Sequence, residues 1–567
     1  MGFTHDLYTS IITILKLGGK GMSQNMKKRV LGLVLCLALL LTVSFNGQVT
    51  AANEGEVKNV IFLVSDGMGA THTTLARWYK GAPLAAEEIV TGGVRTFSAE
   101  SAITDSAPAA TAFAAGYKSN TKYISVLPKT VTTPGVEPVQ NQDIFKPVAT
   151  ILEGAKLAGK STGLVATSNI QHATPAAFSA HHVNRNNYNE LAEQQVYQQM
   201  DVVLGGGSQY LFPKELGGKR EDKDNLYLKL REMGYDYVTS RSDLLASQNN
   251  KIWGMFASDA MSYNMDKESH EPSLAEMTQK AIEVLSKNNK GFFLFVEASK
   301  VDWASHANDP VGVISDVLAW DEAVKVALDF AKKDGKTLVI TFSDHGNGGM
   351  SIGNKASDKN YDTLKVSSII DPLKKAKLTG EGLEKKLNAD RSNIKEVMAE
   401  YFGITDLTEE EIKTIKEARP GSLNYAAGPI ISSRSYIGWT TNGHTGEDLF
   451  LYAYGPQKPT GMIDNTDVAR IIAKAMKFDL DELNKKLFLN AREAFASVGA
   501  TVSLDKSDEK NPVLVVTKGQ AKAELPVSTN MFKMNGQTIY MKSLTILSEG
   551  TTYVPQEAID LFITGTK

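Results

Sequence analysis

Cysteine is nearly missing: the 567 residues contain one, Cys36, set inside an apolar run. A single thiol builds no disulfide framework, so stability has to come from core size or from metal. Charge of one sign is also scarce. Sixty-one Lys and Arg against 64 Asp and Glu leave a net charge of −3, which argues against a nucleic-acid binder. The one strongly apolar N-terminal run, residues 30–43, is too short for a comfortable membrane span. No Gly-x-Ser-x-Gly elbow surrounds Ser106, so a hydrolase triad has no support there. The glycine run in Asp201-Val-Val-Leu-Gly-Gly-Gly207 lacks the Lys and Ser/Thr of a phosphate loop and reads as a tight turn after a strand.

The N-terminus has the layout of a secretory signal peptide. Met26-Lys-Lys-Arg29 supplies the positive end, residues 30–43 the apolar core, and Val49-Thr50-Ala51 or Thr50-Ala51-Ala52 the small-residue cleavage site. Leu35 precedes Cys36 where a lipoprotein anchor wants Ala or Gly, so Cys36 is read as apolar filler. Residues 1–25 fit poorly upstream of such a signal, and translation starting at Met22 or Met26 explains them. The expected layout is 1–52 for extension and signal, 53–490 for a large domain, and 500–567 for a small one.

Four apolar runs of the large domain end in residues that can hold metal. Lys58-Asn-Val-Ile-Phe-Leu-Val-Ser-Asp-Gly-Met-Gly69 reads as a buried strand stopping at Asp66, with glycines leaving room for a sharp turn. An acid at the carboxyl end of a parallel strand faces the crevice where open α/β sheets bind ligands. The run at 160–169 leads to His172 and Thr174, with Pro175 opening a helix and Arg185 about three turns further on. Beside a phosphate site, the planar fork of Arg185 grips two oxygens at once. Gly291-Phe-Phe-Leu-Phe-Val-Glu297 ends in an oxygen donor suited to magnesium, and Asp302 and His306 then share one helical face, a pairing zinc accepts. Thr337-Leu-Val-Ile-Thr-Phe-Ser-Asp-His-Gly346 places Asp344 and His345 together, where burial without a partner would be costly. His444, between glycines, supplies one more ligand. Ser106 opens an alanine-rich helix with Pro108; it reads either as an N-cap or as a nucleophile facing free N–H groups.

In this order, Asp-Gly-Met-Gly, Thr-Asp-Ser-Ala, His-Ala-Thr-Pro, Glu with Asp and His, Ser-Asp-His-Gly and Gly-His-Thr resemble the motifs of bacterial alkaline phosphatases, from about residue 56 to about 485. The resemblance implies an α/β fold with a large, mostly parallel central sheet flanked by helices. It implies Asp302, His306 and His444 as ligands of one zinc, and Asp66, Asp344, His345 and the Ser106 oxygen as those of a second. Asp66, Thr174 and Glu297 would hold a magnesium, with His172 beside it, and Arg185 would grip phosphate. Two zinc ions about 4 Å apart suit the attacking and leaving oxygens of an in-line displacement. His172 and Trp303 stand where one bacterial version has Asp and Lys, while other members carry His and Trp. Histidine supports a hydrated magnesium less well than a carboxylate, which leaves the third metal open.

The implied activity is hydrolysis of small phosphate monoesters through a phosphoserine, by an enzyme secreted to the bacterial exterior or cell wall. It has no anchor in the mature chain and a homodimer as candidate assembly. The competing readings are a phosphodiesterase, a sulfatase or an inactive surface binding protein. A sulfatase wants Arg where Ser106-Ala-Pro-Ala-Ala110 has Ala110. Residues 352–437 are charged, with helical patterning at 392–402 and 408–418, and read as an insertion over the active-site face. Beyond residue 500, short β runs and the hairpin signal Asn535-Gly536 point to a β-rich α+β module. The module resembles the copper amine oxidase N-terminal-like domain and suits surface attachment or protein contact. It holds no histidine, so the name brings no copper chemistry. Mass spectrometry of the exported protein is expected to find Ala52 or Asn53 at its N-terminus; retention of residues 30–43 would contradict the signal-peptide reading.

Overall fold

The computed structural model describes residues 55–566. The expectations for the signal peptide, Cys36 and the translation start therefore lie outside the described residues. Strands β1 (Asn59–Ser65), β2 (Val90–Arg95), β3 (Ser161–Asn169), β4 (Val202–Gly206), β5 (Asp236–Val238), β6 (Ile252–Ala257), β7 (Phe292–Ala298) and β8 (Thr337–Phe342) come first. Four two-residue strands follow: β9 (Gly346–Asn347), β10 (Ser351–Ile352), β11 (Ile437–Gly438) and β12 (His444–Thr445). The longer β13 (Leu449–Tyr454) and β14 (Gly461–Asp464) come after them.

Ten of these form one sheet in the order β14-β2-β13-β8-β1-β7-β3-β4-β6-β5. Only β13 runs against its neighbours β8 and β2; the other pairings are parallel. A parallel strand covered by helices on both faces should be apolar throughout, and all seven residues of β1 are buried. Its side chains alternate between two cores. Val60, Phe62 and Val64 enter one, beneath the helices Ser106–Ala115 and Ala173–Ser179, while Ile61 and Leu63 enter the other, beneath Pro310–Asp334.

Phe62 is the hub of the first core. Its ring meets Phe113, Phe178, Phe295 and Phe342 at centroid separations of 5.3 to 5.9 Å, mostly edge-on as aromatic quadrupoles prefer. Phe113 belongs to the helix that starts with Ser106, so the packing of this core fixes where the serine sits.

The glycine run after Asp201 is a strand that ends in a turn, as expected. Gly205 and Gly206 still belong to β4, and only Gly207, at φ 100°, turns the chain. A side chain on Gly206 would lie 1.9 Å from the Asp259 carbonyl, so close backbone approach requires glycine inside the strand.

The segment from 352 to 437 has a core of its own. Its predicted helices are present as Ile394–Tyr401 and Glu409–Glu417, the second capped by Thr408. Leu75, Val311 and Ile314 of the main body join that core.

Toward the C-terminus, β15 (Leu489–Asn490), β16 (Thr501–Asp505), β17 (Val513–Lys518), β18 (Ala521–Pro526), β19 (Met531–Met534), β20 (Gln537–Tyr540), β21 (Ile546–Ser548) and β22 (Thr551–Val554) form two antiparallel sheets, β16-β17-β18-β19-β20 and β15-β22-β21. Asn535 and Gly536 take φ 54° and 74° between β19 and β20, the positive values a two-residue hairpin turn needs. Helix Gln556–Gly565 closes the module. It is firmly docked: Leu544, Ile546 and Tyr553 pack into the first core of the main sheet. Replacing Phe62 by Ala is expected to cost roughly 3–5 kcal/mol, measured by denaturant unfolding, and to lower turnover because the Ser106 helix loses its seat. Unchanged stability would show that the cluster is not the keystone of this core.

Candidate active site

The carboxyl ends of the central strands bring the predicted residues together. Asp66 follows β1, Glu297 lies in β7, Asp344 and His345 follow β8, and His172 and Thr174 follow β3. The Asp66 N–H donates to the Ala298 carbonyl at 3.1 Å, which holds the strand end against β7. Gly67, at φ 72°, makes the turn; a Cβ there would lie 2.7 Å from the Asp302 Cα. Its N–H donates to Asp344 Oδ1 at 3.1 Å.

Ser106 is buried at the first position of its helix, and Asp105, not Ser106, occupies the N-cap. The serine hydroxyl is thus free of capping duty and lies 3.0 Å from His345 Nε2. His345 Nε2 is also 3.0 Å from Asp344 Oδ2 and 3.6 Å from Asp66 Oδ1. On helix Lys300–His306, His306 Nε2 is 3.3 Å from Asp302 Oδ2, and His444 Nε2 is 3.6 Å from Asp302 Oδ1. Backbone carbonyls fix a proton on Nδ1 of both rings: His306 Nδ1 donates to Asn442 O at 2.6 Å and His444 Nδ1 to Thr104 O at 2.8 Å. His444 Nε2 thereby keeps a lone pair for a cation, whereas His306 Nε2 carries a proton toward Asp302 that a cation would displace.

His444 reaches this place through a minimal ladder. Strand β12 pairs antiparallel with β9, setting His444 opposite Asn347, and the His444 ring stacks on His345 at 3.5 Å. Arg185 does not continue the helix after Thr174; that helix ends at Ser179, and Arg185 sits on the loop beyond it. There its guanidinium pairs with Asp105 and donates to His172 Nε2 at 3.0 Å. An imidazole accepting at Nε2 carries its proton on Nδ1, so in this arrangement His172 offers a donor on that side instead of a lone pair.

The donor set fits metal ions. Both oxygens of Asp66, Oε1 of Glu297, Oδ2 of Asp344 and Oγ1 of Thr174 are buried with no hydrogen-bond partner. Three sets of ligand atoms lie within reach of a common ion: Asp302, His345 and His444; Asp66, Asp344 and His345; and Asp66, His172 and Glu297. Burial, then the charges of Asp344, Asp302 and Glu297, push the Asp66 carboxyl well above its ordinary value. Burial likewise raises Glu297 to about 7. Burial also opposes ionisation of Asp302, but the hydrogen bond and charge of His306 outweigh it and hold that carboxyl low, while His306 is raised to about 9. His172 falls to about 3 because it is buried and faces Arg185.

Residues 57–478 match the family model described as Alkaline phosphatase. The chain belongs to the alkaline phosphatase family. It is 38% identical to "Alkaline phosphatase 3" of Bacillus subtilis over 457 residues, 76% of this chain and 92% of that protein. The solved alkaline phosphatase of Thermus thermophilus superposes with a TM-score of 0.66 at 27% identity, covering 75% of this chain and 92% of that one. A variant of the Antarctic bacterium TAB5 alkaline phosphatase, solved with magnesium in a site called M3, matches with a TM-score of 0.54 at 28% identity, covering 75% of this chain and 99% of that one. Residues 472–563 match the copper amine oxidase N-terminal domain model. This alkaline phosphatase family member is therefore a phosphomonoester hydrolase with a small added module.

Three contributors to the site received no role from the motifs, although Asp105 is the acid of Thr-Asp-Ser-Ala. Asp105 anchors Arg185 and also accepts from the Lys122 N–H at 3.0 Å; its place directly before Ser106 was the only hint. Asn347 donates to Asp302 Oδ1 at 2.6 Å and to the Asp302 carbonyl at 3.0 Å. His72 accepts from the Gly69 N–H at 3.1 Å and bonds Ser305 at 3.0 Å, steadying the Asp66 turn against the Asp302 helix. Replacing Asn347 by Ala should weaken retention of the cation held by Asp302 about 10- to 100-fold, as outer partners of ligands do, measured by competition with a chelator. Unaltered affinity would remove Asn347 from the site.

Proposed function

We propose that the chain is an exported, metal-dependent alkaline phosphatase that cleaves phosphate monoesters through a phosphoserine, using two zinc ions and one magnesium ion. The observation that carries this reading is the Ser106 hydroxyl, 3.0 Å from His345 Nε2 at the start of a buried helix, with Arg185 held beside it by Asp105. Asp302, His306 and His444 would hold one zinc, Asp66, Asp344 and His345 the other, and Asp66, Thr174 and Glu297 the magnesium. His172 serves the magnesium only if its bond to Arg185 is given up. Bound there, the cations would favour ionisation of a hydroxyl and neutralise charge on the leaving oxygen.

The chain's own groups account for the rest. Ser106 Oγ bonds to phosphorus as its proton passes to water, and the ester oxygen departs with the bonding pair and takes up a proton to leave as the alcohol. Water then breaks the Oγ–P bond, returns the proton to Ser106 and frees phosphate. Free N–H groups at the helix start face the negative oxygens, and the Arg185 fork holds two of them. Asp105, kept ionised despite burial by Arg185 and by the Lys122 N–H, fixes that fork.

Export rests on the N-terminal pattern; among the described residues no helix is long and apolar enough to cross a membrane. Division into a catalytic part up to about residue 490 and an accessory part from about 500, with a surface or protein-contact role for the latter, belongs to the same reading. So does a homodimer, checked by light scattering.

Ser106→Ala is expected to abolish trapping of labelled phosphate on the protein and to lower kcat by several orders of magnitude. Trapping that persists in this variant would refute the serine assignment. Metal analysis should return zinc and magnesium, and chelation should both silence the enzyme and lower its Tm, since ligands of the folded state stabilise it. Monoester, diester and sulfate ester assayed together should show the monoester strongly preferred; a preference for either of the others moves the function to a phosphodiesterase or sulfatase.

A further inference from the structure

The C-terminal module reaches the phosphate site through the chain between residues 120 and 148. Ser548, the buried last residue of β21, donates its hydroxyl to the Phe145 carbonyl at 2.7 Å. The Phe145 ring packs on Tyr123 at a centroid separation of 5.8 Å. Burial, then the charges of Glu100 and Glu549, raises the Tyr123 phenol, so the residue after Ser548 acts on this ring as well. Backbone bonds zip residues 145–148 to residues 125–127. The Phe145 N–H donates to Leu127 O at 3.3 Å, the Leu127 N–H to Lys146 O at 2.9 Å, and the Val148 N–H to Ser125 O at 3.0 Å.

From this strip the connection to the site is direct. The Ile124 N–H donates to His182 O at 2.7 Å, the His182 N–H returns the bond at 2.9 Å, and the Arg185 N–H donates to Lys122 O at 2.9 Å. The Lys122 N–H donates to Asp105 Oδ2 at 3.0 Å, and Asp105 pairs with the Arg185 guanidinium. Lys122 thus steadies the arginine twice, through its backbone and through its anchor. The same strip is strained. Lys122, Ser125 and Phe145 take φ 72°, 43° and 64°, the left-handed region that non-glycine residues avoid. Such residues persist only where surrounding contacts over-determine them. Each of the three has a side chain bonded to its backbone. Asp105 accepts from the Lys122 N–H, and Thr111 of the Ser106 helix accepts from the Ser125 N–H at 2.9 Å. For Phe145 that side chain is Ser548, which comes from the module.

We propose that the C-terminal module braces the phosphate site, with Ser548 as a positioning residue. By fixing Phe145 it fixes the 122–127 strip, and through that strip Arg185 in its phosphate-gripping place. The inference rests on the phosphatase reading above, in which Arg185 holds phosphate, and it gives the added module a part in the affinity for phosphate.

The test is the inhibition constant for inorganic phosphate, measured against 4-nitrophenyl phosphate on the full metal-loaded chain. Ser548→Ala should raise it about fivefold, the size of one lost hydrogen bond. Ser548→Thr keeps the hydroxyl and should retain the parent value. Phe145→Leu, which takes the ring off Tyr123, should raise the constant in the same direction and provides a second reading from outside the module. In an Arg185→Ala background, Ser548→Ala should add nothing, because the contact acts through the arginine; a general loosening of the fold would add the same factor in both backgrounds. A constant within twofold of the parent in Ser548→Ala, or an equal rise with and without Arg185, overturns the brace. If Arg185→Ala alone leaves the constant unchanged, the phosphate-site reading falls and the brace with it, a result distinct from a silent Ser548→Ala beside a weakened Arg185→Ala.

Discussion

Negative charge crowded into a buried space is the constraint around which this molecule is arranged. Asp66, Glu297, Asp302 and Asp344 are all buried within one pocket. Removing a carboxylate from water costs several kcal/mol even after the protein relaxes, and His306, His345 and His444 answer only part of that cost. Orphaned oxygens on Asp66, Glu297 and Asp344 mark the remainder. Such a pocket is bistable in composition: it takes up protons or it takes up cations. Cation uptake must expel protons from groups such as Asp66 and Glu297, which links metal affinity to pH.

The sheet makes the crowding tolerable. Strands β1, β7 and β8 align so that Val64 stands between Glu297 and Phe342, and the chain can place acids at the ends of three adjacent strands only because the apolar stretches beneath them are rigid. Phe62 and its aromatic neighbours set the height of the Ser106 helix above that surface. Charge repulsion at the top of the sheet is therefore opposed by packing a few residues below it, and the serine is positioned by side chains that never touch substrate.

Strand ends were the most legible part of the sequence because burial and chemistry change within one or two residues there. The step from an apolar run to Asp66, or from β8 to Asp344 and His345, leaves little room for another reading. Ser106 was ambiguous because capping and nucleophilic roles call for the same residue type at the same place; the structure gives the cap to Asp105. Arg185 was expected about three helical turns after Thr174, yet the helix stops at Ser179, and nothing in a polar stretch rich in Asn marks where a loop replaces a turn. Asn347 and His72 carry no motif of their own. Their value lies in contacts with residues 45 and 233 positions away, and local pattern holds no record of those. In the C-terminal module, Asn535-Gly536 announced its hairpin, whereas the docking of Leu544 and Ile546 into the main core could not be read from alternation alone.

The 352–437 segment joins the main body through a short antiparallel neck. Where that segment leaves the main body and where it returns, β10 and β11 are zipped together, Ser351 opposite Gly438 and Ile352 opposite Ile437. The segment between is also seated along one flank, where Leu75, Val311 and Ile314 of the main body join its core, while Asp344, His345 and His444 lie outside the ladder. Lys300, on the helix that carries Asp302, reaches Glu381 of the segment at 3.4 Å, so shortening or exchanging this bud would be felt at the ion pocket at its base.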